Sequence, residues 1–266
     1  MNVIKKIIKL NFKIFRSYAE VTLNKTPYVL FMNILAKINR TGLKFGYEKD
    51  NYYVEENGET RFFIKSRGTY YANGVKKRTI DLIKSYNIDK IEFQVGDLIV
   101  DVGANMGDLM HYFPNQRYVG FEPAPKEFQA LFKNKKSNCE VFNLCIGDEE
   151  KDITFYISSL GADSSIFQPT KVEEIIQVKQ RRLDNLINGP IKLLKIDAEG
   201  AEQEVIRGAN GLMSSIDFIA IDLGFEKGIN QESTAPPVFQ DLYSNNFKLV
   251  AIARNERFLF KNQIRL

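Results

Sequence analysis

Acids at the ends of apolar runs are the residues of this chain best suited to chemistry. Asp101 closes Leu98-Ile-Val-Asp and opens Asp101-Val-Gly-Ala-Asn-Met-Gly107. Glu122-Pro123 follows Arg117-Tyr-Val-Gly-Phe121, Asp197 and Glu199 lie in Leu193-Leu-Lys-Ile-Asp-Ala-Glu-Gly200, and Asp222 ends Asp217-Phe-Ile-Ala-Ile-Asp222. If these runs are strands of an open α/β sheet, the acids fall at the carboxyl ends, where such sheets bind ligands. Gly103, Gly107 and Asn105, a residue that tolerates positive φ, let the backbone turn tightly against a bound molecule, and a helix expected over Met106–Phe113 would add free N–H groups at its start. The dinucleotide fingerprint G-x-G-x-x-G is broken, because Asn105 and Asp108 stand where glycine, or at 108 alanine, is needed. Asp101 and Asp108 would oppose a pyrophosphate and suit a ligand carrying an amino group and a positive centre. S-adenosylmethionine is such a ligand.

For catalysis the informative segment is Lys195-Ile-Asp-Ala-Glu199. Residues spaced by two project from one face of an extended chain, so Lys195, Asp197 and Glu199 would share a face, with Asp197 at the ligand end. Three readings stand open. Asp197 or Lys195 acts directly as a general base on an acceptor hydroxyl. Alternatively Asp222, ending the next strand, joins Asp197 as a hard-oxygen site for Mg²⁺. Or Asp197 or Glu199 caps the helix expected near Ala201. The metal-free base is preferred, since no third close ligand is evident. The single histidine, His111, falls in the helix expected after the glycine turn, away from where a substrate hydroxyl would enter, and without it no Ser-His-Asp or Cys-His constellation and no Cys/His zinc site can be built.

The pattern Asp-x-Gly-x-Asn-x-Gly over 101–107 closely resembles the first motif of class I methyltransferases in the spelling of the FkbM family. Leu193–Glu202 resembles that family's most characteristic segment, and Arg207-Gly-Ala209 its continuation. The resemblance covers roughly residues 68–260, with the motifs in the family's order. It implies a doubly wound, mostly parallel seven-stranded sheet with an antiparallel last strand. It also implies S-adenosylmethionine held by Asp101, Gly103, Asn105, Glu122 and Pro123, with Glu122 on the ribose diol. Gly147-Asp148 would meet the adenine amino group, although Gly-Asp before Glu149-Glu150 is equally a plain turn. Tyr70 or Tyr71 would lie over the methionine end, or be ordinary packing residues. The Ser-containing loop around Gly161–Ser165 would lie near the cofactor. The implied activity is methyl transfer to a hydroxyl of a sugar, glycan or secondary metabolite, since the Asn/Asp-Pro-Pro-Tyr segment of amino-methylating nucleic-acid enzymes is absent. One rival, an NAD-dependent sugar oxidoreductase, fails on Asn105 and Asp108. The other, an inactive methyltransferase-fold scaffold at a membrane surface, is opposed by Asp101, Glu122, Lys195, Asp197 and Glu199.

The elements that must position these residues follow from length and periodicity. A chain of 266 residues with 44% hydrophobic content can bury a full core, and we expect an N-terminal helical and β-hairpin appendage over 1–67 and a Rossmann-like domain over 68–266. Asn57-Gly58 between β-forming runs signals the hairpin. Beyond it, helices are expected over 75–87, 125–134, 183–187, 201–206 and 237–244. Strands are expected over 139–146, 153–157 and 175–178, and a closing antiparallel pair over 247–253 and 257–261. Cys139 and Cys145, about 20 Å apart on one strand, could not bridge each other, which fits a reducing cytoplasm.

Residues 1–50 carry ten Lys/Arg against three Asp/Glu, leaving −3 for the rest of a chain whose net charge is +4. Nucleic acid is therefore not the expected partner of the catalytic face. Ile4, Ile7, Ile8, Ile14, Phe15 and Tyr18 recur at helical spacing among lysines. Such a basic helix could rest on an anionic membrane, or pack on the core or on a second subunit of a homo-oligomer. No run there matches a signal-peptide core or a membrane span.

Overall fold

The computed structural model describes residues 22–49, 51–158, 164–253 and 256–265. The basic helix expected over residues 4–18 therefore lies outside the described residues. The chain divides into two compact units, one ending at Arg78 and one beginning at Thr79.

In the first unit, helix α1 (Lys25–Ile38) and an antiparallel meander of β1 (Lys44–Glu48), β2 (Asn51–Glu56) and β3 (Glu59–Phe63) share a small core. The Asn33 side chain ties helix to sheet, accepting from the Phe45 N–H at 2.8 Å and donating to the Phe45 carbonyl at 2.9 Å. Asn57 and Gly58 turn the β2–β3 hairpin with φ of 52° and 84°, the paired positive values that a two-residue turn needs to match strand twist. Helix α2 (Val75–Ser85) leads from this unit into the second.

The second unit is built on β4 (Leu98–Val102), β5 (Arg117–Phe121), β6 (Cys139–Phe142), β10 (Ile191–Ile196), β11 (Ile216–Asp222), β12 (Phe247–Ala253) and β13 (Arg257–Asn262). Their lateral order is β12-β13-β11-β10-β4-β5-β6, and β13 runs antiparallel to both neighbours in an otherwise parallel sheet. This is the doubly wound class I methyltransferase arrangement. Every residue of β4 is buried, as expected of a parallel strand covered on both faces. After α3 (Pro125–Asn134) and α4 (Leu183–Leu186) come α5 (Glu202–Gly208) and α6 (Ala235–Ser244), which pack on one side with Val100, Val102, Phe121, Leu194 and Ile219. Ile99, Tyr118, Leu193 and Ala220 pack on the other with Ile83, Tyr86, Met110 and Phe113.

Two expected elements are corrected. The helix over Met106–Phe113 shrinks to a 3₁₀ turn at Leu109–Tyr112. Asn105 at φ 51° and Gly107 at φ 82° carry the loop through left-handed backbone that a right-handed helix cannot include, so no row of helix-terminal N–H groups faces a ligand there. The strand over 139–146 divides after Phe142, where the Asn143 amide donates to the carbonyls of Glu122 and Pro123. Its end, β7 (Cys145–Ile146), joins β8 (Lys151–Ser158) and β9 (Val172–Arg181) in a separate sheet of order β7-β9-β8. Both cysteines are free and buried.

Candidate active site

A cleft with about 680 Å³ of space, part of it open to solvent, lies at the carboxyl ends of β4, β5 and β10, where open α/β sheets bind ligands. Gly103 forms part of its wall with φ 74°, and a Cβ built there would meet the Asp197 carbonyl oxygen at 1.9 Å. Only glycine lets the ends of β4 and β10 come this close. The N–H groups of Gly103 and Ala104 both donate to the Phe121 carbonyl. Beside them Glu122 braces two loops at once, its Oε2 accepting from the Asn105 N–H at 2.8 Å and its Oε1 from the Ala124 N–H at 2.9 Å. Burial pushes the Glu122 carboxyl up to about 8, and the nearby acid Glu127 adds to this against the two N–H bonds. Pro123 and Glu127 line the same end, as does Ser164 from the loop in which serines were expected. Leu144, Ile146, Phe155 and Ile166 supply an apolar part of the lining.

From Asp197 at the cleft a chain of paired charges runs into the sheet. Register sets Lys195 directly beside Asp101 across β10 and β4, and Asp222 beside Arg257 across β11 and β13. The Lys195 ammonium sits 3.0 Å from Asp101 Oδ1 and 3.8 Å from Asp197 Oδ2, and it donates to the Gly103 carbonyl at 2.8 Å. The Tyr118 hydroxyl donates to Asp101 Oδ2 at 2.5 Å, and the Tyr86 hydroxyl to Asp197 Oδ2 at 2.6 Å. Arg257 lies over the Tyr86 ring, 4.3 Å from its centroid, and donates to Asp222 at 2.6 Å and to Ser85 Oγ at 2.8 Å.

This chain revises several expected roles. Burial disfavours the Lys195 ammonium, but attraction from Asp101 and Asp197 outweighs it and holds the amine above its ordinary value. Lys195 is thus a charged clamp on Asp101 and the Gly103 carbonyl, and a poor proton acceptor. Burial and the Asp197 charge raise Asp222 to about 6 against its Arg257 partner. With that carboxylate committed to a guanidinium, the Asp197–Asp222 pair is a poor Mg²⁺ site, and no group of three or more His, Cys, Asp or Glu among the described residues is arranged to hold a metal. Glu199 does not share a face with Asp197, because β10 ends at Ile196 and Glu199 takes φ 50°, although both line the cleft. The turn into α5 is held by the fully buried Glu202, whose Oε1 accepts from the Ala198 and Gly200 N–H groups at 3.0 and 3.1 Å. The N-cap position is Ala201, with no side-chain cap bond, so neither Asp197 nor Glu199 is the cap, and Glu202 braces the turn that precedes the helix.

Asp101 stands behind the cleft wall, its side chain 1% exposed. Gly147 and Asp148 fall just beyond Cys145 and Ile146, which do line the cleft. Gly147 is packed under Gly208, and the Asp148 carbonyl accepts from Arg182 at 2.8 Å. Tyr71 is in the first unit, its buried ring tilted against Phe63 at 5.5 Å between centroids. Sequence reasoning missed Tyr86, Tyr118, Glu127, Glu202 and Arg257. Of these only Arg257 carried a usable signal, since pairing the closing hairpin onto the preceding strand sets it opposite Asp222.

Comparison with known proteins adds the following. A family model described as the Methyltransferase FkbM domain matches residues 101–249. Methyltransferase 1 of Beauveria bassiana is 27% identical, the match covering 59% of this chain and 79% of that protein. The 2-O-methyltransferase NoeI of Sinorhizobium fredii is 26% identical over 59% of this chain and 75% of its own. The hexuronic acid methyltransferase AglP of Haloferax volcanii is 27% identical over 50% of this chain and 58% of its own. Among solved structures, Methyltransferase FkbM from Methylobacillus flagellatus superposes with a TM-score of 0.47 at 14% identity, over 74% of this chain and 53% of that one.

Proposed function

The chain belongs to the FkbM methyltransferase family, and from that premise we propose that it transfers a methyl group from S-adenosylmethionine to a hydroxyl oxygen of a sugar, glycan or related metabolite. The observation that carries this reading is that Glu122 and Asp197 line one cleft from neighbouring strand ends, on either side of Gly103. The donor set suits the cofactor: a carboxyl group at the tip of the second strand for a ribose diol, a close backbone approach of Gly103 to Asp197 that a Cβ would break, and apolar side chains for an adenine ring. Glu122 would hold the ribose, the Gly103–Asn105 backbone the amino-acid part, and Leu144, Ile146, Phe155 and Ile166 the base. When bound, S-adenosylmethionine supplies a methyl group already activated on a sulfonium, so the protein's task is alignment and removal of one proton. Asp197 takes that proton. Its side chain is a quarter exposed at the cleft, and Tyr86 fixes its orientation from behind. The names of two relatives, a 2-O-methyltransferase and a hexuronic acid methyltransferase, support an oxygen acceptor on a carbohydrate.

The test is Asp197→Asn, with transfer of labelled methyl to carbohydrate acceptors measured beside cofactor binding. Losing a positioned base should slow turnover by about 10²–10⁴-fold and leave affinity for S-adenosylmethionine within about tenfold. Undiminished turnover in the Asn variant would remove Asp197 from the chemistry.

A further inference from the structure

Helix α1 presents an apolar stripe on its outer side. Tyr28, Phe31, Met32, Leu35 and Ala36 are buried against the first unit, whereas Leu30, Ile34 and Ile38 are 61%, 49% and 60% exposed. Residues at i, i+4 and i+8 stack along one helix face, and exposed Lys37, seven residues after Leu30, falls on the same face. One exposed aliphatic side chain needs no explanation, but three in line on a single helix face mark an interaction surface. Its charge is one-sided. The helix contains no Asp or Glu, exposed Arg40 and Lys44 follow it, and residues 1–47 hold nine Lys/Arg against the single acid Glu20.

We propose that this face of α1 docks on an anionic membrane surface. Leu30, Ile34 and Ile38 enter the boundary between headgroups and acyl chains, and Lys37, Arg40 and Lys44 meet anionic headgroups, the pairing by which amphipathic helices lie in a bilayer interface. Charge decides against the other occupants. A second copy seated on this face would bring two acid-free basic helices together, and residues 1–21 would bring five more Lys/Arg against one acid. An anionic bilayer turns the same charges into attraction, each basic side chain near the surface contributing about fivefold in partitioning. An enzyme placed this way would meet acceptors carried on lipid at the bilayer surface.

The test is flotation of the full chain with vesicles of phosphatidylcholine alone and with about 30% phosphatidylglycerol, at low and high salt. The wild type is expected to float with the anionic vesicles only, and less at high salt. Leu30→Ser/Ile34→Ser/Ile38→Ser and, separately, Lys37→Glu/Arg40→Glu should each lower partitioning at least tenfold, with the far-UV circular dichroism unchanged. The charge variant leaves the apolar stripe intact and decides the matter should the serine variant misfold. Absence of wild-type binding, or equal binding to neutral vesicles, overturns the proposal. So does a serine variant that binds like wild type, which would assign the contact to residues 1–21. Wild-type self-association that the serine substitutions abolish also overturns it, by making the face an interface between copies.

Discussion

Replacing Lys195 by Met keeps most of the side-chain volume and removes the charge, which isolates what the ammonium does. Lys195 and Asp101 are 5% and 1% exposed and 3.0 Å apart, so loss of the ammonium leaves a carboxylate buried with only the Tyr118 hydroxyl bonded to it, and the Gly103 carbonyl loses a donor. Removing one partner of such a buried pair costs about 3–5 kcal/mol. Because Tyr118 remains, we expect the lower end, roughly 3 kcal/mol, or about 6–12 °C in melting temperature for a unit of this size. The loss should depend on pH in a definite direction. Burial already holds the folded Asp101 above its unfolded value against the pull of Lys195, and loss of the cation raises it further, so the contribution is present below the unfolded carboxyl value near 3.9 and is lost as pH rises through the folded one. The variant should therefore regain stability relative to wild type between pH 7 and pH 4. In urea melts, Asp101→Asn/Lys195→Met should cost clearly less than the two single changes added together. A Lys195→Met protein within about 1 kcal/mol of wild type, or strict additivity, would refute the paired-charge account.

Gly103→Ala should destabilise the protein by at least about 1–3 kcal/mol from its positive φ alone, with the clash at the Asp197 carbonyl added, and should weaken cofactor binding; a normal melt with normal affinity would contradict the tight approach of β4 and β10. Since Asp222 is committed to Arg257, methyl transfer should survive EDTA, and a loss restored by Mg²⁺ would reverse that reading. Glu122 titrates at about 8 in the fold against about 4.3 unfolded, so its stabilising contribution is present below 4.3 and disappears as pH rises through 8. Glu122→Gln should thus flatten the fall of melting temperature across that window, and identical slopes would contradict it.

The sheet was legible because its strands are apolar runs buried on both faces, and because Asn57-Gly58 and the closing hairpin have local turn chemistry. What escaped the sequence depended on backbone sign or on distant partners. Asn105, Gly107 and Glu199 adopt positive φ, which removed one helix and took Glu199 off the Asp197 face. The residue type of Asn105 tolerates that conformation but does not by itself signal that a helix ends there. Lys195 and Asp101 were both singled out, yet their pairing emerges only from strand register. Tyr86 reaches Asp197 across 111 residues of sequence, and no periodicity reports such a contact. The split after Phe142 likewise rests on the Asn143 amide finding carbonyls 20 and 21 residues earlier.

The central claim, that the Glu122 cleft is the seat of S-adenosylmethionine, is tested most directly by calorimetric titration of that molecule into the wild-type chain and into Glu122→Ala. Removal of the acceptor shared by two ribose hydroxyls should weaken binding by about 1–3 kcal/mol, roughly 5- to 150-fold, with NAD showing no comparable affinity for the wild type. Equal affinity of the two proteins for S-adenosylmethionine, or tighter binding of NAD, would contradict it.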